Sequence, residues 1–128
     1  MLILIAMAGL YFHIPFCKRI CAYCDFYKSV ETARLPETLQ AMHRELESRR
    51  EYLGAHMKET APLTRGWQVD TVYFGGGTPS LCTPEQLRAL LDHAAGLFDC
   101  SATEETTLEA NPDDLTPRYL DALREAGI

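Results

Sequence analysis

Apolar residues change their spacing several times along the chain, and each change marks an element. Leu10, Phe12 and Ile14 alternate with Tyr11 and His13, so residues 9–14 read as a strand with two distinct faces. From Pro36 to about Met57 the period lengthens. Leu39, Met42, Leu46, Leu53 and Met57 form a helical stripe, with Glu45 and Arg49 four apart on the wet side. Residues 58–68, which include Pro62 and Gly66, read as a surface loop, with Trp67 packing at the start of the next strand. The run Val69 to Phe74 is β-branched and aromatic, as expected of a strand buried on both faces. A second helix opens at Thr83-Pro84-Glu85-Gln86, where Thr83 is the N-cap, Pro84 takes the first position and Gln86 closes a capping box. Its stripe is Leu87, Leu90, Leu91, Ala94 and Phe98. Thr106 to Ala110 predicts a third strand. Thr116-Pro117 then repeats the helix start, Leu120, Leu123 and Ala126 form its stripe, and Gly127 sits at the C-terminal cap.

Three strand–helix units in sequence predict an α/β fold with a parallel sheet and crossover helices. Candidate chemistry follows each strand, which points to a barrel or partial barrel. At 128 residues the chain has room for one domain or part of one. Gly127-Ile128 falls where a fourth strand would begin, so residues 9–128 are expected to be the first part of an incomplete domain. Residues 1–8 read as an N-terminal extension or the start of the first strand, with Met7 as an alternative first residue.

Composition narrows the class. An apolar fraction of 47% and a charged fraction of 23% are ordinary for a soluble globular protein. The opening MLILIAMAGL is too short to span a bilayer and lacks the basic start and cleavage site of a secretory signal, so a cytoplasmic protein is expected. A formal charge of -6 argues against a nucleic-acid partner.

The densest chemistry lies in Tyr11 to Tyr27, where Cys17, Cys21 and Cys24 follow one another as Cys-x3-Cys-x2-Cys. Successive helix positions rotate by roughly 100°, so one helix cannot gather all three thiols; a loop can. Five cysteines is an odd number and nothing marks secretion, which disfavours a disulfide framework. Two metal readings stand on spacing alone. One is zinc, with His13 completing a Cys3His set; the other is an iron–sulfur cluster held by three cysteines with one iron left open. Downstream, Gly75, Gly76 and Gly77 lack side chains, so a ligand can approach the backbone there. The run has neither the Lys-Ser/Thr of a phosphate loop nor GxGxxG spacing.

With Tyr23 before its last cysteine, the triple-cysteine motif resembles the cluster motif of the radical S-adenosylmethionine superfamily. Tyr11-x-His-Ile-Pro-Phe-Cys17 and Gly75-Gly76-Gly77-Thr78-Pro79-Ser80 together resemble the oxygen-independent coproporphyrinogen III oxidases and their haem-chaperone relatives, from about Gly9 to the last residue. The resemblance implies the N-terminal half of a partial six-unit βα barrel, about three units of it. It implies Cys17, Cys21 and Cys24 as ligands of a [4Fe–4S] cluster whose open iron chelates S-adenosylmethionine. It assigns Gly76, Gly77 and Thr78 to the methionine amino group, Glu109 to the ribose hydroxyls, and Tyr11 and Tyr23 to aromatic cofactor contacts. Haem or a porphyrinogen, an electron donor and haem-accepting proteins are the implied partners. No catalytic side chain is assigned.

The family's oxidases carry a further cysteine as Cys-Gly-Cys, where this chain has Asp25 and Phe26. A haem chaperone is therefore the expected function, with the oxidase as alternative and a zinc-bound interaction module as a third reading. Cys82 and Cys100 read as small apolar residues, and His43, His56 and His93 as surface or packed residues without partners at metal spacing. Asp113-Asp114 reads as a turn, and His13 as a donor near the cluster.

Overall fold

The computed structural model describes residues 7–54 and 67–128. The expectations for Met57, Pro62, Gly66 and His56 lie outside these residues. Three parallel strands, β1 (Met7–Ile14), β2 (Gln68–Gly76) and β3 (Glu105–Leu108), form one sheet in sequence order. The connecting helices are α1 (Leu35–Ser48), α2 (Pro84–Leu97) and α3 (Pro117–Ala126). Helix α1 packs on α2 and α2 on α3. Phe12, Ile14, Val72 and Phe74 point to the helices and meet Leu39, Leu46, Leu87, Leu90 and Leu123 in one core. Helices on a single side of a parallel sheet make an arc of barrel wall, as the strand–helix repeat predicts.

The expectation of a β2 buried on both faces is corrected. Val69, Val72 and Phe74 are buried, whereas Gln68, Thr71 and Tyr73 are exposed. The strand is one-faced, and its second face is the open side of the sheet. The two buried valines lie three apart because β2 carries an extra residue, shifting the register between Ala8 and Gly9. Asp70 sits in that bulge, and its carboxylate accepts from the Ala8 N–H at 3.1 Å.

Helix boundaries follow their local chemistry. Thr83 accepts from the Gln86 N–H while the Gln86 side chain accepts from the Thr83 N–H, which completes the predicted box. Thr116 caps α3 in the same way, through the Tyr119 N–H. Gly127 ends α3 at φ 100°, a left-handed position that glycine takes without penalty. Within α3, Leu120 is 47% exposed and drops out of the predicted stripe. Tyr119 is half-buried instead, its hydroxyl donating to the carbonyls of Ser80 and Cys82. The Glu45–Arg49 pair forms at 2.8 Å on the exposed side of α1, where such pairs contribute only about 0.3–0.5 kcal/mol. Trp67 immediately precedes β2 and is half-buried, its indole N–H enclosed without a partner among the described residues.

His43 on α1 and His93 on α2, expected to be surface or packed residues, pack against each other. Their Nδ1 atoms lie 2.7 Å apart with the rings stacked, and His93 Nε2 meets Glu47 Oε1 at 2.8 Å. Burial first, and the neighbouring His93 second, hold the His43 pKa below its ordinary 6.5. The folded state therefore binds fewer protons than the unfolded state as pH falls through that value, so folding weakens on acidification. Melting temperature of the intact protein should be lower at pH 5.5 than at pH 7.5. His43→Gln should flatten that part of the profile; an unchanged slope would remove His43 from it.

Candidate functional site

The open face of the sheet follows from register. Tyr11 pairs with Tyr73 and Tyr73 with Thr107, while His13 pairs with Gly75. Alternation then sets Tyr11, His13, Tyr73 and Gly75 on one face, opposite the core. Glu109 lies one residue beyond β3 and continues the ladder, its N–H donating to the Phe74 carbonyl at 3.0 Å.

At the C-terminal ends of β1 and β2 the backbones stay joined past the strands. Gly77 N–H donates to the Ile14 carbonyl and Thr78 N–H to that of Phe16, each at 2.7 Å. The cysteine loop begins there and is tied at its base. Cys17 N–H donates to Ser29 O at 2.9 Å, and Ser29 N–H to Pro15 O at 2.6 Å. Within the loop, the Cys24 N–H reaches the Cys21 carbonyl, and Lys28 Nζ donates to the carbonyls of Cys24 and Phe26. The Phe26 backbone N–H, and after it Lys28, draw the Cys24 thiol below its ordinary pKa. The Tyr23 phenol is raised by its hydrogen bond to Cys21.

Each residue of the glycine run faces a part of the chain itself. A Cβ at Gly75 would meet Tyr73 Cε1 at 2.9 Å and Tyr11 Cε2 at 3.0 Å; one at Gly76 would meet the His13 ring at 2.8 Å. At Gly77 it would lie 2.6 Å from the Phe16 carbonyl oxygen and 3.0 Å from Cys17 Sγ. The strand ends therefore pack closely on the side where each of these glycines lacks a Cβ. Gly76 in addition holds φ 110°, which L residues with side chains rarely adopt. Thr78 Oγ1 donates to Cys17 Sγ at 3.3 Å, a direct link between the cysteine motif and the glycine motif.

Most of the sequence-derived candidates converge here. Cys17, Gly76, Gly77 and Thr78 form one cluster, and Glu109 joins it by accepting the Gly76 N–H at 3.1 Å. Tyr11 roofs Gly75 and hydrogen-bonds His13 Nδ1 at 3.1 Å, while His13 Nε2 meets the Tyr27 carbonyl. Tyr23 stands apart, 91% exposed on the loop. Cys21 is exposed and Cys24 half-buried. Among the described residues no three His, Cys, Asp or Glu side chains stand together as a metal-holding group. The donor set nevertheless fits a soft, sulfur-ligated centre: three thiols in one loop, with Cys17 beside a glycine cradle that any Cβ would fill. Thiolate ligands that gather on their metal rather than before it are ordinary chemistry.

Some contributors were given no role from sequence. Tyr73 donates its hydroxyl to Glu109 Oε1 at 2.8 Å. Ser80 and Lys18 both bind Asp114, and the Asn111 N–H donates to Ser80 Oγ, joining the cysteine loop, the turn after β2 and the turn after β3. Asp113-Asp114 does lie in a turn, the short 3-10 helix Pro112–Asp114, but Asp114 is also this tie. Burial raises its carboxyl, while the hydrogen bonds and charge from Lys18 and Ser80 bring it below the ordinary range.

Comparison with known proteins agrees with this geometry. The chain is 37% identical over 124 residues to the heme chaperone HemW of Bacillus subtilis, covering 95% of this chain and 30% of that protein. It is 37% identical over 121 residues to the heme chaperone HemW of Lactococcus lactis, covering 92% of this chain and 27% of that protein. The chain thus spans under a third of the length of these relatives. The solved structure of the Escherichia coli coproporphyrinogen III oxidase HemN, described as a radical SAM enzyme, superposes with a TM-score of 0.73 at 27% identity. That match covers 96% of this chain and 26% of the other. The sequence profile of the Radical SAM superfamily matches residues 11–128, from the middle of β1 through α3, and the chain belongs to that superfamily.

Proposed function

We propose that this chain is the cluster- and S-adenosylmethionine-binding part of a haem-handling protein of the chaperone type. The observation that carries this reading is the contact of Cys17 Sγ with Thr78 beside Gly77, which joins the thiol loop to the glycine turn at the ends of adjacent strands. Cys17, Cys21 and Cys24 are the residues that would hold a [4Fe–4S] cluster. Bound there, such a cluster supplies an electron to the sulfonium of S-adenosylmethionine. The remaining residues bind and orient. Gly76, Gly77 and Thr78 meet the methionine amino group, Glu109 accepts from the ribose hydroxyls, and Tyr11 and Tyr23 give aromatic surface. An electron donor and haem-accepting proteins complete the reading. Among the described residues no helix is long and apolar enough to cross a membrane.

The chaperone reading over the oxidase rests on Asp25 and Phe26, which stand where a further cysteine would serve a second cofactor site. Names of the relatives support it, and the likeness to HemN keeps the oxidase in the test. Haem titrated into the anaerobically reconstituted intact protein should give a saturable Soret change, and coproporphyrinogen III should not be decarboxylated. Turnover of the porphyrinogen without haem binding would reverse the assignment.

A further inference from the structure

The Glu109 carboxylate is not free at the end of β3. Oε1 accepts from the Tyr73 hydroxyl at 2.8 Å and Oε2 from the Gly76 N–H at 3.1 Å. One donor comes from a side chain of β2 and the other from its backbone, so the carboxylate plane is fixed against that strand. A carboxylate has roughly four acceptor positions, and these two donors occupy one on each oxygen. The hydrogen bond to Glu109 is also the first cause of a raised Tyr73 phenol pKa, which keeps the hydroxyl a donor. Tyr73 is itself held in place. Its ring stacks on Tyr11 at 6.0 Å between centroids, and the two rings close over Gly75, where a Cβ would strike both.

We propose that Tyr73 is a positioning residue for S-adenosylmethionine, orienting Glu109 so that its two remaining acceptor positions receive the vicinal hydroxyls of the ribose. This rests on the assignment of Glu109 to the ribose under the proposed function. A vicinal diol presents two donors a short distance apart, and a carboxylate answers both only when its rotation is set beforehand. A glutamate swinging freely at a strand end would lose that orientation in each binding event. A β2–β3 clamp of purely structural worth would use the same hydrogen bond, so the test must separate the two.

Tyr73→Phe keeps the ring over Gly75 and removes only the hydroxyl. Calorimetric titration of S-adenosylmethionine into reconstituted intact protein should show binding weakened by about tenfold, the scale of one hydrogen bond to a charged group. The loss should shrink for an analogue lacking the ribose 2′-hydroxyl. It should also largely vanish in a Glu109→Gln background, because the tyrosine acts through that carboxylate. Iron content and melting temperature without ligand should match the parent protein. Equal affinities of parent and Tyr73→Phe overturn the inference while leaving the functional reading in place. An equal loss on the deoxy analogue, or a fall in ligand-free melting temperature that accounts for the change, makes Tyr73 a structural clamp and also overturns it. A parent protein that does not bind S-adenosylmethionine removes both.

Discussion

Alanine at Cys17, Cys21 or Cys24 should take the iron of anaerobically reconstituted protein from about four per chain to nearly none, and the brown colour with it. Cys82→Ala should change neither. The four thiols differ in what surrounds them. Cys17 sits against Thr78 Oγ1 at the mouth of the loop, Cys21 is exposed, and Cys24 has its pKa lowered by the Phe26 N–H and Lys28. Cys82 is 1% exposed in the core, and burial pushes its thiol up to about 12. Metal ligation needs the thiolate, which a buried apolar site opposes. Cys100 is half-buried and raised for the same reason. Iron and sulfide analysis of the four variants, with visible spectra, reads the result. Equal loss at Cys82 would refute the division of the thiols. One equivalent of zinc and no sulfide in the parent would replace the cluster with a zinc site.

The contrast among the thiols was legible in the sequence because spacing alone separates a three-cysteine loop from two isolated cysteines. The helices were legible too, since Thr83-Pro84-Glu85-Gln86 and Thr116-Pro117 carry their caps in local chemistry. What escaped was what depends on register. Read as buried on both faces, β2 made Tyr73 a packing residue; only pairing with Tyr11 and Thr107 turns its ring to the open side and its hydroxyl to Glu109. The Asp70 bulge was hidden because an extra residue leaves no mark in composition. His43 with His93, and Lys18 with Asp114, are meetings of residues fifty or more positions apart, and no periodicity reports these. Leu120 and Tyr119 exchanged roles for a similar reason. The tyrosine finds two carbonyl acceptors in the turn after β2, and the leucine is left outside.

Gly77→Ala should destabilise the intact protein by about 2 kcal/mol, the middle of the range for overpacking. For a domain of 150–250 residues that corresponds to a fall of roughly 4–8 °C in Tm. The new methyl would lie 2.6 Å from the Phe16 carbonyl oxygen and 2.9 Å from the Phe16 nitrogen, both backbone atoms that no rotamer change can move. Relief requires parting the β1 and β2 ends, which strains Gly77 N–H to Ile14 O and Thr78 N–H to Phe16 O together. Cys17 Sγ, 3.0 Å from the same methyl, would shift as well, so binding of S-adenosylmethionine should be lost along with stability. Gly75→Ala should be milder, because it meets side chains, the rings of Tyr11 and Tyr73, rather than backbone. Gly76→Val is no clean probe of ligand approach. Its φ of 110° costs a β-branched residue about 1–3 kcal/mol before His13 is displaced. Gly96→Ala supplies the opposite sign: it lies in α2 with open space around its Cβ position, so the exchange should stabilise by up to about 1 kcal/mol. Thermal melts and ligand titration of the series read the order. A Gly77→Ala protein that melts with the parent and binds normally would mean that the two strand ends can part at no cost, and that their close approach does not build the site.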